Sequence, residues 1–327
     1  FVNHWDVPRW GGGCHFDPGV LPSIGKVMKA AGYKTAVAGK WQLDDFRVEP
    51  EACQTAGFDE YCMWTGGEGG NEKSNSRYWN PYIHTKNGSR IYEGEFGPDV
   101  YTDSLLDFMK KNKDDPMFVY FPMCLPHGPW VTTPLKPNAN GKREKYIAMV
   151  EYIDHLTGKI VETLDQLGIR ENTIIFWTSD NGSSLSLQGR RNGVKIKGGK
   201  GETVEQGINV PFIANCPGTV PQGVVSQALT DVTDILPTCA ELANAPLPTI
   251  YKNNGRSIAD VLLGKTHQSG RNWIMAMGGH NNAKMTDRGP ENEWYWRDRV
   301  IRDRHYKLYV GTDKKAKKLF DLAQDPW

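Results

Sequence analysis

A lysine and a histidine follow two apolar runs of this chain. Lys40 comes two residues after the run 35–38, and His127 comes four residues after the run 117–123. In open α/β sheets, ligands bind at the carboxyl ends of the strands. If both runs are strands, these two side chains lie at one sheet edge, where they could neutralise an oxyanion and protonate a leaving oxygen.

A carboxylate and an amide follow a third apolar run. Asp180 and Asn181 come soon after residues 173–178, and Lys200 lies in a glycine-rich segment before the run 210–214. Carboxylate and amide oxygens suit a hard cation such as Ca²⁺ or Mg²⁺ better than zinc. Together with the two lysines and the histidine, this set indicates cleavage of an anionic ester.

Each of these residues has an ordinary structural explanation when it is taken alone. A lysine after a turn is usually solvated, a histidine between prolines is usually a loop residue, and Asp-Asn-Gly is a good turn sequence. The argument for a site is that all four segments are expected at one sheet edge. The set lacks a nucleophile, because no Ser, Thr or Cys lies beside a convincing base.

The elements that must position these residues alternate along the chain. The four apolar runs are rich in Val, Ile, Phe or Tyr, which is typical of buried strands. Strands alternating with helices predict an α/β fold with a mainly parallel central sheet flanked by helices. Helices are predicted at 22–31, 99–113, 144–167 and 231–244, the last with Pro237 as a candidate kink.

The region after residue 248 has a different pattern, which predicts a small antiparallel C-terminal subdomain. We therefore expect an α/β catalytic domain at 1–248 and the subdomain at 249–327. Residues 64–98 are rich in Gly, Asn and Trp with little periodicity, so a long functional loop is expected there. The exposed strands predicted for the subdomain are 271–277, 299–310 and 318–322.

Composition and charge exclude several classes of protein. The 327 residues include 39 Lys plus Arg and 38 Asp plus Glu, a net charge of +1, so there is no broad electrostatic case for nucleic acid or an anionic membrane as a partner. No apolar run reaches about 18 residues, so no transmembrane segment is predicted. The chain runs from Phe1 to Trp327 without a starting Met and stops within what reads as structured sequence, and we expect a piece of a longer protein.

The six cysteines show no spacing suited to zinc. Buried thiols are the expected state. A disulfide such as Cys53 with Cys62 stays open if the protein is exported.

Several segments, in order along the chain, resemble motifs of the type I sulfatases, a family of the alkaline phosphatase superfamily. Residues 32–43, which contain Gly39-Lys40-Trp41, resemble the second sulfatase signature, and His127-Gly128-Pro129 is similar to the HxP motif. The other matching segments are 178–182 with Asp180-Asn181-Gly182, 199–211 with Lys200-Gly201 and Glu205, 231–245 at the end of the catalytic domain, and 304–326 in the C-terminal sheet.

The resemblance implies a specific chemistry. In this family a Cys or Ser in a C/S-x-P-x-R motif becomes formylglycine, whose hydrated form attacks sulfur while Ca²⁺ holds the sulfate. The family order places that motif, and a preceding acidic pair of metal ligands, before Phe1, so the chain alone is expected to be inactive. The implied roles are Asp180 and Asn181 as Ca²⁺ ligands, Lys40 and Lys200 as contacts to formylglycine and sulfate oxygens, and His127 as the aid to the leaving oxygen.

The resemblance also implies a substrate, a partner and a location. These are an aryl or carbohydrate sulfate (a sulfated small molecule or glycan), a formylglycine-generating enzyme for the complete protein, and the periplasm or the extracellular space. Gln42 stands where the family usually has His, and it can hydrogen-bond but cannot take a proton near neutral pH. The base of the last step is then in question, or another group serves. Gln42, Arg77 and Trp79 are expected to contact the substrate.

Two other functions stay open. A phosphoester hydrolase of the same superfamily would share the fold and much of the site, and a non-catalytic sulfatase-like protein would bind sulfated glycans. Aromatic faces stack on sugars and arginines bind sulfate, so a carbohydrate platform could form, although packing explains each residue alone better. The candidates for it are Trp64, Arg77, Tyr78, Trp79, Arg190, Arg191 and Trp294-Tyr295-Trp296.

Overall fold

The helices expected from the sequence are present, and further short helices were not expected. The computed structural model describes residues 16, 18–19, 22–68, 71–249, 253–278, 283–286, 289–292 and 296–325. The predicted helices are present as α1, α3, α4 and α6. The α-helices are α1 (Ile24–Ala30), α2 (Ala52–Thr55), α3 (Gly97–Lys111), α4 (Gly141–Gln166), α5 (Glu205–Ile208), α6 (Ile235–Leu242) and α7 (Ala259–Leu262), with 3₁₀ turns at Glu72–Asn75, Arg170–Asn172 and Val232–Asp234.

The strands are short, mostly four to seven residues. Those of the first half are β1 (Lys34–Lys40), β2 (Glu60–Trp64), β3 (Tyr82–Thr85), β4 (Gly88–Ile91), β5 (Met117–Tyr120), β6 (Ile175–Thr178), β7 (Gln188–Arg191) and β8 (Val194–Lys197). Those that follow are β9 (Phe212–Asn215), β10 (Ile274–Met277), β11 (Ala283–Thr286), β12 (Gly289–Asn292), β13 (Arg299–Arg302), β14 (Tyr306–Val310) and β15 (Ala316–Asp321).

The chain forms two compact units, and each takes residues from separate stretches. The first unit contains the described residues of Phe1–Arg170, Ala243–Lys252 and Ala283–Glu293. The second contains those of Glu171–Leu242, Asn253–Asn282 and Trp294–Trp327. The domain boundary at residue 248 stays a prediction.

The first unit is built on a five-stranded sheet in the order β4-β3-β2-β1-β5. β1 pairs in parallel with β2 and β5, whereas β3 and β4 extend the sheet antiparallel, so the α/β class is confirmed and the central sheet is mixed. Alternate residues of β1 enter separate cores: Ala36 and Ala38 pack with α3 and α4 residues, and Val37 packs with Trp41 and Phe58. β1 is therefore covered on both faces, as parallel strands usually are.

The second unit contains three antiparallel sheets. β6 pairs with β9, β7 pairs with β8, and β10, β13, β14 and β15 form the small antiparallel sheet expected near the C-terminus. The run 299–310 is a hairpin and not one strand. Asp303 turns the chain, because its side chain accepts hydrogen bonds from the amides of His305 and Tyr306.

Two further expectations are corrected. The stretch 64–98 is not one long loop, because β3 and β4 form a hairpin there and extend the central sheet; strands of four residues are too short for a periodic signal. Pro237 does not kink a helix. It is the third residue of α6, which begins at Ile235 after the 3₁₀ turn Val232–Asp234, and the first turn of a helix needs no amide from it.

The cysteines of the described residues are buried free thiols. They are Cys53, Cys62, Cys124, Cys216 and Cys239, which confirms the buried-thiol prediction and leaves Cys53 and Cys62 unbridged. Cys14 lies outside the described residues. None of the described helices is long and apolar enough to cross a membrane.

Candidate active site

Lys40 is the last residue of β1, which lies between β2 and β5 in the sheet, beside the segment that leads to His127. The Lys40 amide donates to the Pro122 carbonyl at 2.7 Å. Gly39 allows this approach, because its φ is +121° and a Cβ there would collide with the Pro122 oxygen. Burial raises the pKa of the Cys124 thiol to about 12, and the positive charge of Lys40 lowers it in part. The end of β1 and the chain after β5 therefore meet at one edge of the sheet.

His127 is half-buried in a tightly held segment. Its ring Nδ1 lies 2.7 Å from the Gly128 carbonyl oxygen. A carbonyl can only accept, so Nδ1 carries the proton and Nε2 is the nitrogen whose lone pair can exchange one. The Tyr78 hydroxyl lies 2.5 Å from the His127 carbonyl and 2.9 Å from the Cys124 carbonyl, which fixes the backbone on either side of the ring.

Arg77 supports the same segment. Its guanidinium lies over the Trp64 ring, with Cζ 4.5 Å from the ring centre, and its Nη2 donates to the Gly128 carbonyl. Its Nε is buried without a hydrogen-bond partner among the described residues. The observed contacts of Arg77 are thus to the protein itself, and its contact with substrate stays a prediction.

Gln42 and Trp79 also contact the protein. The Gln42 side chain packs against Gly66, where an added Cβ would lie 3.0 Å from Gln42 Cγ, and its Oε1 is buried without a hydrogen-bond partner in the described part of the chain. The Trp79 indole donates to the Thr132 carbonyl at 3.0 Å, and its ring lies 4.9 Å from that of Phe96. Trp79 remains 38% exposed, so one of its faces is open to a ligand.

Two of the aromatic residues considered as a sugar platform are explained by packing. Trp64 and Tyr78 are buried core residues. Trp296 is partly exposed, and the Arg299 guanidinium lies 3.5 Å from its ring centre. Trp294 and Tyr295 lie outside the described residues.

In the second unit, the segment of Asp180 and Asn181 lies against the loop of Lys200. Both residues come after β6 and Ser179, with Asp180 exposed and Asn181 half-buried. The Lys200 amide donates to the Ser183 carbonyl at 3.0 Å, and the Gly182 amide donates to the Gly207 carbonyl at 2.9 Å. Two backbone hydrogen bonds therefore join the acid-amide pair to the glycine-rich loop, although the two segments lie about twenty residues apart.

Glu205 has long-range contacts that the sequence does not reveal. It is buried on α5, with Oε1 2.8 Å from Lys307 Nζ and Oε2 2.8 Å from Arg302 Nη1. Asn209 also donates to Oε2, at 3.2 Å. Lys307 is only 2% exposed. Strands β13 and β14 thus anchor the turn that follows Lys200, and no local pattern links positions 102 residues apart.

Asp44 and Glu68 are buried acids near the end of β1. Neither of them is indicated by the sequence. Burial, with the charge of Asp45 adding, raises the pKa of Glu68 to about 7. Neither Glu68 carboxylate oxygen makes a hydrogen bond of normal geometry with a described residue, although the Phe46 amide and the Thr65 hydroxyl are near enough to lower this pKa in part. Burial also raises the pKa of Asp44 to about 6, although the Trp41 indole and the Phe16 amide donate to it. Nothing in the local sequence distinguishes these carboxylates from solvated ones.

The acid-amide pair fits part of a metal shell. Asp180 and Asn181 supply the oxygen donors that Ca²⁺ prefers, and neither side chain has a hydrogen bond or an ion pair within the described part of the chain. Ca²⁺ takes six to eight oxygens, however. Across the described residues there is no group of three or more His, Cys, Asp or Glu that could hold a metal. The pair would therefore hold an ion only together with further ligands.

The structure describes the predicted site residues in two sets. In the first unit the Lys40 backbone bonds Pro122, in the segment that leads to His127, and in the second the Lys200 backbone bonds Ser183, which follows Asn181 closely. The expectation that all four segments share one sheet edge is corrected, because among the described strands β1 and β5 belong to the five-stranded sheet while β6 pairs with β9 in a separate antiparallel sheet. The convergence of the two sets stays a prediction.

Comparison with known proteins identifies the same family. The sulfatase family model matches residues 5–245. An arylsulfatase of Hemicentrotus pulcherrimus is 29% identical over 255 residues, which are 74% of this chain and 46% of the relative. An N-acetylgalactosamine-6-sulfatase of Canis lupus familiaris is 33% identical over 261 residues, 75% of this chain and 48% of the relative. The chain thus spans about half the length of these relatives.

The fold agrees with this match. The crystal structure of Ps i-CgsB in complex with k-i-k-neocarrahexaose superposes with a TM-score of 0.78 at 23% identity, covering 99% of this chain and 72% of that one. The family model covers most of the chain, including Lys40, His127, Asp180 and Lys200. The chain therefore belongs to the sulfatase family.

Proposed function

We propose that the complete protein hydrolyses a sulfate ester of an aryl compound or a carbohydrate. The observation that carries the proposal is the pairing of the Lys200 loop with the Asp180-Asn181 segment, through the Lys200 amide and the Ser183 carbonyl at 3.0 Å. An anion held by Lys200 would then lie close to oxygen donors suited to a divalent cation. Membership of the sulfatase family and relatives named for sulfate esters support sulfate as that anion.

The residues of this chain would bind the sulfate and move one proton. Lys40 and Lys200 neutralise the charge on the sulfate oxygens as the S–O ester bond breaks. The doubly protonated His127 ring would give its Nε2 proton to the leaving oxygen and keep the Nδ1 proton on the Gly128 carbonyl. Water supplies the oxygen that ends on sulfur, so an alcohol and sulfate are released. Tyr78 and Arg77 hold the segment of His127 in place.

The sulfatase family uses a metal ion, and we propose that this ion is Ca²⁺, bound by Asp180 and Asn181 with ligands beyond those described. Ca²⁺ would supply positive charge that polarises the sulfate. The nucleophile is proposed to be formylglycine, made by a formylglycine-generating enzyme from a Cys or Ser outside this chain. Export to the periplasm or the extracellular space is part of the same proposal.

The test is sulfate release by the complete protein, produced in a host that makes formylglycine. Lys200→Ala should lower turnover of an aryl sulfate by about 100-fold or more, as loss of an oxyanion donor does. Lys318→Ala, an exposed lysine of β15, should leave it unchanged. Chelation of the metal should lower activity, and Ca²⁺ should restore it. Faster release of phosphate from the matching phosphate ester, or a complete sequence without C/S-x-P-x-R, would contradict the proposal.

A further inference from the structure

The β7–β8 hairpin carries the most one-sided charge in the chain. Between Asp180 and Glu202 there are five Lys and Arg residues and no acidic residue. The whole chain, by contrast, has a net charge of +1. Four of the five cations lie on the hairpin, which begins at Gln188, and the fifth is Lys200.

The turn of the hairpin fixes which side chains share a face. Asn192 and Gly193 have φ angles of +49° and +81°, which is the two-residue turn that matches the twist of paired strands. Arg190 then lies directly opposite Lys195, and Gln188 lies opposite Lys197. Since side chains alternate between the faces of a strand, these four residues lie on one face, and Arg191 lies on the other.

This face is exposed, and no acidic side chain among the described residues neutralises its charges. Arg190, Lys195 and Lys197 are exposed, and none of them makes an ion pair with a described residue. Arg190 Nη1 donates to the Gly193 carbonyl at 2.9 Å, which holds the guanidinium at the tip of the hairpin. Like charges directly opposite each other in a sheet destabilise it, so a bound anion would relieve the Arg190–Lys195 pair.

The face that carries Arg190, Lys195 and Lys197 begins next to the Lys200 loop and extends away from it. The Gly198 amide donates to the Leu187 carbonyl at 3.0 Å and closes the base of the hairpin, two residues before Lys200. From the Lys197 position to the Arg190–Lys195 pair is two residues along the strand, roughly 7 Å. Cations are therefore spaced along a line that starts beside the proposed sulfate site.

We propose that this face of the β7–β8 hairpin binds a second sulfate group of a polymeric, multiply sulfated glycan while another sulfate of the same chain lies at Lys200. The inference rests on the proposed function and narrows its substrate to an extended polyanion. A single aryl sulfate bound at Lys200 has no second anion to place on the hairpin. Arginine and lysine donors suit sulfate oxygens, and the exposed Gln188 amide can bond a sugar hydroxyl.

The first experiment measures binding of dextran sulfate to the full chain at 0.15 M NaCl, with unsulfated dextran as the reference. The variant R190Q/K195Q/K197Q should bind about tenfold more weakly, because three exposed charge contacts are lost. The variant K314Q/K315Q/K318Q removes the same charge from the β14–β15 hairpin and should change binding less than twofold. The charge-preserving variant R190K/K195R/K197R should bind like the wild type.

The second experiment separates this inference from the proposed function. In the complete protein, R190Q/K195Q/K197Q should raise KM for a multiply sulfated oligosaccharide about tenfold and leave kcat/KM for an aryl sulfate unchanged. Absence of all sulfate release would overturn the proposed function alone, since the dextran sulfate result is independent of turnover. Equal losses of binding in the two triple variants, or DNA binding as tight as that of dextran sulfate, would overturn the hairpin assignment.

Discussion

Glu68 is 1% exposed, and an ionised carboxylate is costly at such a position. Its pKa of about 7 in the folded chain exceeds the ordinary 4.5, so the folded state holds the proton more tightly than the unfolded state. The free energy of unfolding therefore falls as the pH rises from about 4.5 to about 7. Above this window the folded chain carries a buried charge.

Replacing Glu68 with Gln should remove this pH dependence. At pH 8, Glu68→Gln should raise the free energy of unfolding by on the order of 1–3 kcal/mol, and at pH 5 the difference should be much smaller, since one pKa unit corresponds to about 1.4 kcal/mol. Urea unfolding at both pH values measures it. Glu95→Gln, at an exposed acid, should show no such change. A Glu68→Gln variant less stable than the wild type at pH 8 would contradict the burial argument.

The Tyr78 hydroxyl is the donor that holds the segment of His127. Tyr78→Phe removes the one hydroxyl hydrogen that the Cys124 and His127 carbonyls share and should lower the free energy of unfolding by about 1–2 kcal/mol. The matched control is Tyr92→Phe. The Tyr92 hydroxyl makes no hydrogen bond within the described residues, so this change should alter the free energy of unfolding by less than about 0.5 kcal/mol. Equal effects in the two variants would mean that the Tyr78 hydroxyl does not support the segment.

At the scale of elements, the ion triad of Glu205, Lys307 and Arg302 joins α5 to β13 and β14. Removal of one partner of a buried pair leaves a charge without compensation, which costs about 3–5 kcal/mol. Lys307→Met should therefore destabilise the protein by about that amount in urea unfolding. It should also weaken any anion binding at Lys200, because α5 follows that loop.

The same sheet offers a matched control. Lys317 and Asp313 form an ion pair at 2.7 Å with both side chains exposed. Because solvent screens an exposed pair, Lys317→Met should lower the free energy of unfolding much less than Lys307→Met does. If Lys307→Met and Lys317→Met have the same effect, burial does not strengthen the triad. A smaller loss in the double variant K307M/E205Q than the sum of the single losses would show that the two residues act on each other.

At the scale of the whole molecule, local sequence patterns predict the helices and strands but not the contacts between residues far apart in the sequence. The apolar run 35–38 correctly predicts a buried strand that ends near Lys40, and the regular apolar spacing of 144–167 predicts α4. The β3–β4 hairpin escapes prediction because strands of four residues carry too little pattern. The partners of Glu205 and the burial of Glu68 depend on packing between distant segments, which no local pattern encodes.

The interleaved order of the two units has a consequence for synthesis. A chain leaves the ribosome from its N-terminus, and domains that are continuous in sequence can fold one after another as they emerge. Here the first unit requires β11 and β12, which emerge only after Glu171–Leu242 and Asn253–Asn282 of the second unit. The nascent chain cannot complete the first unit before it has produced more than half of the second. For the same reason, no single cleavage of the backbone separates one whole unit from the other.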